Sequence, residues 1–164
     1  MERRALVTAS VGGGIAASFA MDLVQDALAA AFERGRATSD LDEEVEAIAA
    51  VVRMLTTFVP SIVGERRTRF AAHVVHYVLG VGFAAVYVVA VPRARLLAAS
   101  NGLAFGAGLF VLSDRILIPM LELGRSWNRY SRTERLNAFA SHVAYGVVLE
   151  TVRARVARAD ERDA

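Results

Sequence analysis

The stretch "HVVHYVLGVGFAAVYVVAV", His73–Val91, has the length and composition of a membrane span. A hydrocarbon core of roughly 30 Å takes about 20 mostly apolar residues in a helix. Beyond its first turn the stretch carries no ionisable group other than tyrosine. Yet it opens on two histidines, His73 and His76, which a span in lipid should avoid. Charges inside a bilayer are costly and usually face the protein interior. The two rings therefore have to be explained by what stands near them.

The rest of the chain fits the same solvent. Of 164 residues, 55% are hydrophobic, above the roughly 45–50% usual for soluble domains. The apolar residues fall in blocks at about 5–32, 70–91, 96–121 and 136–152. Arginines cluster between the blocks, as residues flanking spans do. Pro92, Arg93 and Arg95 make a tight turn between the second and third, and Trp127 and Tyr130 stand among arginines between the third and fourth. The predicted fold is all-α: one domain over 1–164, an integral membrane bundle of four transmembrane helices.

The longest polar segment lies between the first and second spans. Over about 41–59, apolar residues at Val45, Ile48, Ala49, Val52 and Leu55 have helical spacing. This predicts an amphipathic connecting helix on the membrane surface or against the bundle. The charged tail after Val152 is expected to fray. "MERR" and "ASFA" resemble a signal peptide, but Gly12–Gly14 interrupt its core and apolar periodicity continues to Phe32. The first block is therefore read as a span.

Composition also excludes chemistries. The chain has no cysteine, which removes disulfides, iron–sulfur clusters and thiolate metal sites. Every basic residue except the histidines is arginine, and the net charge is +2. No basic face with interleaved aromatics is present, so nucleic acid is not an expected partner. Ser141 and His142 are neighbours on one helix and point apart. There is no GxSxG, P-loop or dinucleotide fingerprint. No enzymatic activity and no cofactor are expected. The expected partner is the lipid bilayer, with a homo-oligomer or a second membrane protein as further partners.

Small residues recur at helix-contact spacing: Gly102 with Gly106, Gly12 with Ala16, Gly80 with Ala84, and Gly146 near His142. In lipid such pairs let backbones approach closely.

Four alternating spans sort the polar residues by height. With both termini on side A, Asp22 and Asp26 fall in the opposite, side-B half. His73, His76, Asp114 with Arg115, and His142 fall there too, while Glu150 falls near side A. Helical steps join Ser18 to Asp22 and Asp26, and His73 and His76 to Gly80 and Tyr87. These rows are expected to face one another in a polar pocket, with Tyr77, Tyr87, Arg115, Tyr145 and Glu150 in support. Three readings are open. Asp–His and Asp–Arg contacts join the helices. The cluster responds to or conducts protons, since imidazole titrates near pH 6.5. Or His73, His76 and His142 with an aspartate bind a divalent transition metal. Arginines on the two sides nearly balance, and the short turn and basic tail favour termini inside.

"GIAASFAMDLV" with "HVVHYVLGVGFAAVY", and then "GLAFGAGLFVLSDRILIPMLELG" with "SHVAYGVVLETVRARV", together resemble the YagU-like family of small bacterial inner-membrane proteins. The matching residues are Asp22, His73, His76, Tyr77, Gly80, Tyr87, Gly106, Asp114, Pro119, His142, Tyr145, Gly146 and Glu150. Ala84 and Arg115 depart from the pattern. The resemblance implies a multi-pass membrane protein of unassigned activity.

Overall fold

The computed structural model describes residues 1–32, 65–120 and 130–163. The predicted connecting helix at 41–59 lies outside them. All regular structure among the described residues is helical. Helix α1 is Arg3–Phe32, α2 is Glu65–Ala90, α3 is the short Arg95–Ala99, α4 is Leu103–Met120 and α5 is Arg132–Asp163.

α1 runs unbroken through its three consecutive glycines, and its two faces explain how. The buried face is Ala5, Ala9, Gly13, Gly14, Ala17 and Ser18. The outer face is Val7, Val11, Ile15, Phe19 and Leu23, each at least 43% exposed. A helix of a water-soluble domain turns its large apolar side chains inward. Here the small residues are inside and the large ones outside, as in helices packed in lipid. The other apolar helices are likewise little buried. Only 33% of the apolar stretch of α1, 22% of that of α2 and 11% of that of α4 is buried. These three helices are long and apolar enough to cross a membrane. The fourth expected span, 136–152, lies within α5, which is long enough but is not among the helices that qualify by composition.

α1 and α5 form the central antiparallel pair. Asn137 Nδ2 donates to the Gln25 carbonyl, Gly13 lies against Leu149 and Val152, and Asp160 meets the amino terminus. α2 packs on α1 and α4 on α5. Where Gly14 crosses α2, a Cβ would stand 2.6 Å from Val81 Cα. The buried glycines of α1 are thus Gly13 and Gly14, whereas the expected Gly12 faces open space. The core between the helices holds Ala17, Ala84, Tyr87, Val91, Leu109, Tyr145 and Leu149, with Phe105 tilted against Tyr87 at 4.6 Å between ring centroids.

Two expectations are corrected. The tail does not fray: α5 continues to Asp163. Asp160 accepts from the Glu2 backbone N–H at 2.9 Å, a carboxylate at the positive end of α1. The third span, expected over 96–121, is not continuous. The chain breaks at Asn101 and Gly102, both at positive φ (49° and 85°). Gly102 there touches the backbone of Gly146, in the middle of α5, where a Cβ would strike the Gly146 carbonyl oxygen. Glycine is required at that point by both the conformation and the contact. Ser100 Oγ holds the break, accepting from Ala104 N–H at 3.2 Å. α4 is also irregular further on, with a π-helical segment over Val111–Leu117. Single π turns inside α-helices are frequent at functional sites.

α5 begins on a capping box, "SRTE". Ser131 Oγ accepts from Glu134 N–H at 3.2 Å, and Glu134 accepts from the Ser131 N–H in return.

Candidate proton site

The side-B half of the bundle holds two Asp–His pairs on two different helix interfaces. The first joins α1 and α2. His76 Nε2 lies 3.2 Å from Asp22 Oδ1, and the Tyr77 hydroxyl donates to Asp22 Oδ2 at 3.0 Å. Both carboxylate oxygens are engaged. The approach depends on Gly80, one turn further along α2, where a Cβ would collide with Ser18 Oγ.

The second pair joins α4 and α5. His142 Nε2 lies 3.5 Å from Asp114 Oδ2. Asp114 is carried by the π-helical segment. Gly106, one helix segment earlier, brings α4 onto α5: a Cβ there would strike the His142 carbonyl oxygen and stand 2.8 Å from Val143 Cα. His142 is buried, with Phe110 edge-on to its ring at 5.9 Å. On its other side, His142 Nδ1 lies 2.8 Å from the Ala138 carbonyl oxygen.

That geometry has a chemical consequence. A carbonyl oxygen only accepts, and an ionised carboxylate only accepts. A neutral imidazole has one donor nitrogen and one acceptor nitrogen. Between Ala138 and Asp114, a neutral His142 would turn a lone pair toward one of two acceptors. At Asp22 the second carboxylate oxygen is served by the Tyr77 hydroxyl.

The expected single pocket is therefore resolved into two pairs. His73 is exposed on α2, and Asp26 is exposed near the end of α1. Arg115 is exposed beside Asp114. Among the described residues, no group of three or more His, Asp or Glu is placed to hold a metal ion. The three histidines named as metal candidates do not gather.

A third paired carboxylate, this one buried, lies toward side A. Glu150 accepts from the Tyr87 hydroxyl at 2.9 Å and from Arg153 Nε and Nη2 at 2.6 and 2.7 Å. The sequence gives Tyr87 and Glu150 as supporting residues, and Arg153 was missed because it opens the charged tail. Its signal was present: Glu150 and Arg153 are three residues apart on one helix. The Glu150 contact raises the Arg153 guanidinium further above its ordinary range. Tyr145, buried, donates its hydroxyl to the Gly80 carbonyl and ties α5 to α2. No family model, curated protein or solved structure matches the chain.

Proposed function

We propose that this is a small multi-pass protein of the bacterial cytoplasmic membrane, without catalytic activity, whose Asp–His pairs join its helices and make the bundle respond to protons. The observation that carries this reading is His142 set between two acceptors, Ala138 and Asp114. The inverted surface supports lipid as the solvent, with Phe19, Leu23, Val78 and Val86 each more than half exposed. In this reading α5 is the fourth span. Its polar groups, His142 and Glu150, are turned inward and paired, as ionisable groups in spans usually are. The likeness to the YagU-like family agrees with a multi-pass membrane protein.

In this reading the proton is shared across the joint between α4 and α5, where the fold brings His142 and Asp114 together. A double-mutant cycle on Asp114→Asn and His142→Gln in detergent or lipid measures it. The coupling is expected to be roughly 0.5–3 kcal/mol at pH 5.5 and smaller at pH 8. Equal coupling at both values would leave the pair a helix joint and remove the proton reading.

A further inference from the structure

The end of α5 carries a row of arginines that the helix joints do not use. Arg155, Arg158 and Arg162 are three and four residues apart, which puts them on one face of the helix. All three are exposed, and among the described residues none is paired with a carboxylate. The opposite face holds the helix in place: Arg153 meets Glu150, and Asp160 meets the amino terminus. The row is therefore carried on a fixed helix. Glu161 and Asp163 are exposed on either side of it. Arg3, Arg4 and Arg93 are exposed at the same end of the bundle, so among the described residues arginines outnumber the exposed acids there, Glu2, Glu161 and Asp163.

The height of the row follows from α1. The two helices are antiparallel, with Gly13 against Leu149 and Val152 and Met1 against Asp160. At equal rise per residue, Arg155 stands about level with Val7, and Arg158 about level with Arg4. The apolar run of α1 begins at Ala5, and Val7 is 62% exposed on its outer face. The row thus starts at the edge of the apolar belt and leads away from it for about 10 Å. A headgroup layer is roughly 5–7 Å deep on each side of the hydrocarbon. Guanidinium groups at that height meet lipid phosphate before they meet acyl chain or bulk water. We propose that the row Arg155, Arg158 and Arg162 binds the headgroup of an anionic phospholipid in the leaflet on side A. A zwitterionic headgroup offers the same phosphate but carries its own cation beside it.

Insertion is read first, because the proposal rests on the membrane reading given above. The full chain is reconstituted with vesicles of phosphatidylcholine alone and should float with them; failure to do so would overturn both readings together. The protein is then incubated with equal amounts of phosphatidylglycerol and phosphatidylcholine of identical chains, and retained lipid is counted by native mass spectrometry. The wild type is expected to prefer phosphatidylglycerol about tenfold or more, and less so as salt is added. Arg155→Gln, Arg158→Gln and Arg162→Gln together should abolish the preference, and lysine at the same three positions should keep most of it. Arg132→Gln, exposed at the other end of α5, should leave it unchanged. With insertion intact, three results overturn the row alone: equal retention of the two lipids by the wild type, an unchanged preference in the triple glutamine variant, or displacement of the bound lipid by millimolar inorganic phosphate.

Discussion

Asp22 and Asp114 each meet a histidine across a helix interface, and the two meetings differ in kind. Around Asp22 the helices are regular and both carboxylate oxygens have partners, His76 and Tyr77. Around Asp114 the helix is wound as a π segment, and the partner ring is caught between the carboxylate and a backbone carbonyl. Two pairs of the same residue types at similar height thus differ in setting: one carboxylate is backed by a phenol on a regular helix, the other faces a buried ring whose Nδ1 lies against its own helix backbone.

The comparison breaks most severely at Gly106. The atoms a Cβ would meet there include backbone of α5. Gly106→Leu should cost at least about 3 kcal/mol, the upper end for overpacking, read by thermal melting in detergent. Gly12→Leu, with open space around the Cβ position, should stay within about 0.5 kcal/mol. If both are tolerated, α4 does not pack on α5 through Gly106, and the Asp114–His142 pair loses its support.

Glu150 sharpens the contrast from the other end of the bundle, as a buried carboxylate with a permanent cation. Arg153→Met would strand the Glu150 charge and should destabilise by about 3 kcal/mol. Tyr87→Phe removes one of three donors and should cost only about 1 kcal/mol. Equal losses in chemical denaturation would show that the phenol, not the guanidinium, holds the carboxylate.

A smaller effect distinguishes the histidines of α2. Asp22→Ala and His76→Ala should couple by roughly 0.5–3 kcal/mol, while Asp22→Ala and His73→Ala should be additive within about 0.5 kcal/mol. Strong coupling to His73 would mean that the exposed ring turns in to share Asp22.

Much of this was legible in the sequence for definite reasons. Block length and the small residues of α1 give the lipid-facing inversion. Alternating span direction places Asp22, His76, Asp114 and His142 in one half. Which aspartate meets which histidine depends on helix rotation, which a periodicity of 3.6 does not set between helices. The break at Asn101–Gly102 had a turn signal in the Asn-Gly dipeptide. It was hidden inside an apolar run, where Gly102 reads equally well as a packing glycine. The π segment has no sequence signal here. The tail looked frayed because its charges were counted as solvated, whereas Arg153 and Asp160 have partners on the bundle.

In the proposed reading the His142 ring is oriented by the Ala138 carbonyl at Nδ1 and by Asp114 at Nε2. ¹⁵N NMR of the histidine rings in lipid, followed between pH 5 and 8, reads each nitrogen separately. The expected result is a hydrogen on Nδ1, toward Ala138, across that whole range. A ring that carries its hydrogen on Nε2 and leaves Nδ1 bare would contradict the reading.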